Sequence, residues 1–171
     1  GTFSTYLWST GATTSTISPG VSGIYSVTVT NANGCTGTDN IALLFNASPT
    51  PNLGPNQTVC VGTPVTLNPG TFSTYLWSTG ATTSTISPSA SGIYSVTVTN
   101  ANGCTGTDNV TLTFNALPAP NLGFNQTVCV GTPVTLNPGT FSTYLWSTGA
   151  TTSTISPGAS GTYSVTVTNA N

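Results

Sequence analysis

Across 171 residues the chain has no lysine, arginine, histidine, glutamate or methionine, and its two side-chain carboxylates are Asp39 and Asp108. Each absence removes a class of function. Without basic residues there is no electrostatic footprint for nucleic acid and no attraction to anionic lipid surfaces. General-base and nucleophilic catalysis need a histidine, glutamate, lysine or paired carboxylate beside the reacting group, and one aspartate among many hydroxyls does not provide that. The chain is therefore expected not to be an enzyme and to need no cofactor. Calcium asks for six or more oxygens and usually several carboxylates, so no metal is expected either. No apolar run nears the ~20 residues of a membrane span. The most apolar stretch, residues 41–45, is only strand-length, so no membrane insertion is expected of this stretch.

With so little charge, solubility has to come from serine and threonine hydroxyls and asparagine amides, and association is favoured. The chain is nonetheless not disordered in composition, being rich in Val, Thr, Ile, Tyr, Phe and Trp. Those residues suit a pleated, half-buried surface, so a β fold is expected.

The organising feature is repetition. GTFSTYLWSTGATTSTISP occupies residues 1–19, 70–88 and 139–157, an offset of 69 both times. The chain is thus about two and a half turns of one module. Residues 1–46 read as the C-terminal part of a first module, 55–115 as a complete one and 124–171 as the N-terminal part of a third. Between them lie 47–54 (ASPTPNLG) and 116–123 (ALPAPNLG). Their prolines favour an extended, semi-rigid linker. Strands of ~6 residues at ~3.3 Å and a linker of ~8 residues at ~3.1 Å would advance the chain on the order of 40 Å per module.

Within the complete module, short alternating runs are separated by Gly, Pro and Asn, and no helical period appears. Residues 57–60 and 65–68 read as strands, with Val65 and Leu67 inward; 73–78 follows with Tyr75 and Trp77 on one face. In 93–99, Tyr94, Val96 and Val98 share one face while Ser95, Thr97 and Thr99 share the other, the period of a sheet buried on one side. Residues 100–103 form a polar hairpin loop, after which Val110, Leu112 and Phe114 point inward. Differences between copies fall at outward positions, where Ile93 is Thr162 in the next copy, Thr111 is Ala42 in the previous one and Thr113 is Leu44, while the inward Tyr, Val, Leu and Phe change only between Ile41 and Val110. Asp108 is expected to cap backbone amides or to face water.

YLWSTG at 75–80, SGIYSVTVTNANGC at 91–104 and the Cys-Val-Gly of 60–62 together resemble the PKD-like and Ig-like repeats of large secreted surface proteins of Bacteroidota. The resemblance covers every module. It implies an all-β architecture of tandem antiparallel Ig-like β-sandwiches, found in adhesins, stalks and gliding-associated surface filaments, and it implies no catalysis. Ser78 and Thr79 stand where the PKD strand carries acidic residues, so no cation site is carried over.

On such a sandwich a tryptophan in the third strand is ordinarily the core anchor rather than a sugar-stacking platform. Trp8, Trp77 and Trp146, with Tyr25, Tyr94 and Tyr163, are accordingly expected to anchor the cores. Cys35 and Cys104 hold one position of the repeat, Cys60 and Cys129 another. Regularly placed cysteines in a small β module point to disulfides and an oxidising, extracellular compartment. Two cysteines per module without histidine do not make a zinc site. The repeat logic favours Cys60 with Cys104, leaving Cys35 and Cys129 to partners outside the visible chain; free buried thiols are the alternative. If Cys60 lies at the opposite pole from Cys104, that pairing fails.

The functional expectation is a structural repeat array, forming an extracellular fibre or the stalk of a cell-surface adhesin. The alternative is a multivalent array holding glycans or surfaces through repeated loops, each contact weak and strengthened by number. Expected partners are neighbouring modules of the same chain, identical chains in a filament, and glycans or surfaces.

Overall fold

The structure of the chain, a computed structural model, describes residues 3–170. All regular elements among those residues are strands. In the first repeat β1 (Thr5–Trp8), β2 (Gly23–Thr30) and β3 (Thr36–Leu43) form one sheet in the order β1-β2-β3. The second repeat contributes β4 (Gln57–Cys60), β5 (Thr74–Trp77), β6 (Gly92–Thr99) and β7 (Thr105–Asn115), in the order β4-β7-β6-β5. A pair, β8 (Thr143–Trp146) and β9 (Val165–Thr168), represents the third.

The strands form where the alternation places them. β6 pairs antiparallel with β5 and with β7, with Tyr75 opposite Val98 and Trp77 opposite Val96. One face therefore collects Trp77, Val96, Val98, Val110 and Leu112, and each is almost completely buried. The opposite layer has little regular pairing. It is held by the reciprocal bonds Leu67 N–H to Ile86 O (2.9 Å) and Ile86 N–H to Leu67 O (3.2 Å), which present Val65 and Leu67 to the sheet. This is a two-layer sandwich, and the inward residues read from the repeat are the ones in its core.

Two polar details mark the sandwich as Ig-like. The Trp77 indole N–H donates to Thr83 O at 2.8 Å, so the ring is buried without an orphaned donor. Near the start of β6, the Tyr94 hydroxyl donates to Ala90 O at 2.9 Å, four residues upstream. That is the tyrosine corner of Ig-like sandwiches, which fixes how the chain enters this strand. The same bonds recur from Tyr25 to Val21 O and from Tyr163 to Ala159 O.

β4 runs parallel to β7, with Gln57 opposite Leu112 and Cys60 opposite Asn115. The first strand of the module thus lies beside its last and points the same way. This pairing decides which ends of the module each cysteine and each neighbour occupies.

Candidate functional site: the joint between repeats

Residues 46–60 run along β7 from its beginning to its end. Where β7 starts, the Cys104 thiol donates to Asn46 O at 3.5 Å and the Asn100 side-chain amide donates to Ala47 O at 3.0 Å. Further along, Leu53 N–H donates to Asp108 Oδ2 at 2.7 Å, and Thr111 N–H to Asn56 Oδ1 at 2.8 Å. β4 then completes the path, and Val61 N–H donates to Asn115 O at 2.9 Å.

This corrects the reading of 47–54 as a linker. Leu53 is buried in the core beside Val96, Val98 and Val110, and Asn52 N–H donates to Pro69 O at 3.1 Å. The prolines keep the segment extended, as their composition implies, but it lies on the following module rather than between modules. The carbonyl of Pro49 passes so close to β7 that a Cβ on Gly106 would sit 1.9 Å from its oxygen. Gly106 is therefore where the backbones meet. The third repeat shows the equivalent Asn121 N–H to Pro138 O bond at 3.1 Å.

Asn100 serves the joint in two ways. Its Oδ1 accepts from Asn102 N–H and Cys104 N–H, each at 3.0 Å, and so shapes the hairpin loop. Gly103 turns that loop with a φ of 80°, a conformation costly for other residues. The amide nitrogen of Asn100 remains free to reach back to the preceding repeat. At the next joint Asn169 makes the equivalent contact, donating to Ala116 O at 3.2 Å. One joint geometry thus occurs twice.

In the first repeat the corresponding surface is an open groove of about 540 Å³, lined by Val27, Val29, Asn31, Cys35, Gly37 and Asp39 among others. These are the counterparts of Val96, Val98, Asn100, Cys104, Gly106 and Asp108, 69 residues earlier. In the second repeat the equivalent positions are covered by residues 46–53.

The other expected site residues fall as follows. Trp77 and Trp146 are buried core anchors, while Trp8 is only half-buried, with its indole N–H on Thr14 O at 2.9 Å. Tyr25 is buried; Tyr94 packs against the core and Tyr163 is half-buried. Tyr75 turns its hydroxyl to Phe72 N–H and Gly70 O, leaving no stacked Trp-Tyr platform.

The Cys60 to Cys104 disulfide is excluded by the strand pairing. Cys60 registers with Asn115 at one end of β7, and Cys104 immediately precedes Thr105 at the other. Eleven residues of strand separate those ends, roughly 36 Å at ~3.3 Å per residue, against a Cα separation of about 4.4–6.8 Å in a disulfide. All four thiols are unbonded, and Cys35, Cys60 and Cys129 are exposed rather than buried. The pole to which β4 runs was the missing fact, and it follows from parallel pairing across 55 residues, which spacing alone does not encode.

No protein family matches the chain, and no curated protein does. Among solved structures it is similar to SGBP-B of the Bacteroides ovatus mixed-linkage glucan utilization locus, in complex with mixed-linkage heptasaccharide. The identity is 14% with a TM-score of 0.25, over 98% of this chain and 60% of that one. It is also similar to Dpr2 Ig1-Ig2 in complex with DIP-Theta Ig1-Ig3, at 16% identity and a TM-score of 0.25, over 88% of this chain and 64% of that one. The chain thus spans about 60% of the length of these structures. The all-β, Ig-like class rests on the strand order and core described above.

Proposed function

We propose that this chain is a stretch of an extracellular structural array, a fibre or the stalk of a surface adhesin, in which each repeat is seated on the next through the joint. One observation carries this reading: the side-chain amides of Asn100 and Asn169 make the same contact at both joints, with the carbonyls of Ala47 and Ala116 in the segment that follows the last strand of the repeat before, at 3.0 and 3.2 Å. A connector that merely tethered its modules would not need a core leucine, a buried-side aspartate bond and a glycine without which the backbones collide. These features fix residues 46–53 on the repeat they enter, which supports a joint of set direction such as a load-bearing or distance-setting array requires.

No catalytic role is assigned. The repeated unit spends its side chains on a core and a joint; the sequence has no histidine, glutamate or lysine, and Asp108 accepts from Leu53 N–H.

Electron microscopy of a long array tests the reading. The expected result is straight particles one module wide, with an axial repeat set by the eleven-residue β7, roughly 36 Å at ~3.3 Å per residue. Modules that hinge freely at every junction would overturn it. A width of several modules would instead show lateral assembly of identical chains.

A further inference from the structure

The cysteines are the one regular chemical feature that the module does not use internally. The two joints, overlaid by the 69-residue period, bring both cysteine positions to the same carbonyl. At the joint between the first and second repeats, the Cys104 thiol lies 3.5 Å from Asn46 O, the end of the preceding repeat. At the joint between the second and third, the counterpart of Asn46 is Asn115, and Cys60 is its register partner on the neighbouring strand. The amide following Cys60, Val61 N–H, donates to Asn115 O at 2.9 Å. The carbonyl that receives the thiol at one joint is therefore the carbonyl flanked by the other cysteine at the next.

The overlay is justified by contacts and not only by numbering. Asn100 on Ala47 O and Asn169 on Ala116 O place the following repeat in the same way at both joints. The hairpin that carries Cys104 is rigidly built on Asn100, whose backbone N–H donates to Cys104 O at 3.0 Å. A cysteine four residues beyond Asn169, where the period puts it, would stand over Asn115 as Cys104 stands over Asn46. Cys60 is exposed there, with Val59 beside it packed on the core instead.

We propose that each joint is a covalent cross-link site, closed by a disulfide between the cysteine at the Cys60 position of one repeat and that at the Cys104 position of the following repeat. This rests on the array reading, because the partner lies in the adjacent module. Cys60 and Cys129 each bond forward, and Cys35 and Cys104 each bond backward. Formation uses a small disulfide oxidant such as oxidised glutathione. One cysteine thiolate attacks the oxidant, releasing a thiolate and leaving a mixed disulfide. The second cysteine thiolate attacks the protein sulfur of that mixed disulfide and releases the other half of the oxidant. Two protons leave the protein thiols, and two electrons pass to the oxidant, which ends as two thiols.

The test compares this chain with one lengthened at its C-terminus by one further period. Both are equilibrated with oxidised glutathione, alkylated while folded and then denatured, and mapped by mass spectrometry after chymotrypsin digestion. In the present chain all four cysteines should be accessible to alkylation or glutathione, with no internal bridge. The lengthened chain carries six cysteines and should show one bridge, joining the Cys60 peptide to the added period, with four cysteines unbridged. Replacing Cys60→Ser should remove that bridge, leaving five. Two unbridged cysteines in the lengthened chain would mean pairing within modules, and six would mean no bridge; either overturns the proposal, as would disulfide-linked dimers. Small-angle scattering of the same sample, oxidised and reduced, keeps the two readings apart. Rigid joints without a bridge sink only the disulfide, whereas freely flexing joints sink the array.

Discussion

The first and second repeats share their sequence through residues 1–19 and 70–88, yet they bury it differently. Val98 and Val110 are 0% exposed, while their counterparts Val29 and Ile41 are half-buried and 55% exposed. Trp77 is 2% exposed and Trp8 half-buried. Both sheets form with matching registers. What differs is the layer above. In the second repeat, residues 46–69 bring Leu53, Val65 and Leu67 down onto the sheet. In the second repeat the core is thus closed by Leu53 of the segment crossing from the previous repeat together with Val65 and Leu67 of the repeat's own opening residues.

Paired substitutions turn that contrast into measurements, each read by urea or thermal unfolding of the chain. The largest expected effect is at tryptophan: Trp77→Ala should cost about 3–5 kcal/mol, the usual range for a buried aromatic, and Trp8→Ala clearly less. Equal losses would show that the first repeat's core is as closed as the second's. Next comes glycine. Gly106→Ala forces a Cβ into Pro49 O and should cost about 1–3 kcal/mol or displace the segment. At Gly37 the nearest atom is the Val29 side chain at 4.0 Å, so Gly37→Ala should stay within about 0.5 kcal/mol.

A smaller gap is expected at aspartate. Asp108→Asn weakens a charge-assisted bond to Leu53 N–H, by about 1 kcal/mol. Among the described residues Asp39 accepts only from the neighbouring Asn40 N–H, so Asp39→Asn should be nearly silent. Smallest is Asn100→Asp, which keeps the loop acceptor and removes the amide donor to Ala47 O; about 0.5–1 kcal/mol is expected. Hydrogen exchange at residues 47–53 should rise in that variant, and no change there would remove Asn100 from the joint.

Much of the fold was legible because period-two alternation is a local signal. Tyr94, Val96 and Val98 lie on the core side as read, and β4 occupies the expected residues 57–60. Asp108 also caps a backbone amide as expected, although its partner is 55 residues away. The joint was not legible. A proline-rich stretch containing one leucine has the composition of a solvated spacer, and nothing beside Leu53 says that a sheet waits beneath it. The cysteine pairing failed for a related reason, since spacing fixes which residues recur but not whether the first strand runs with or against the last.

The parallel alignment of β4 with β7 has a mechanical consequence. The chain enters the second repeat near Cys104 and leaves it beyond Asn115, at opposite poles of the sandwich. Tension along the array would draw these two strands past each other along their own length. Their backbone bonds, from Gln57 opposite Leu112 to Val61 N–H on Asn115 O, then lie across the direction of pull and share the load together. Pulled in that direction, such a module would yield by shearing several bonds at once instead of peeling them one by one.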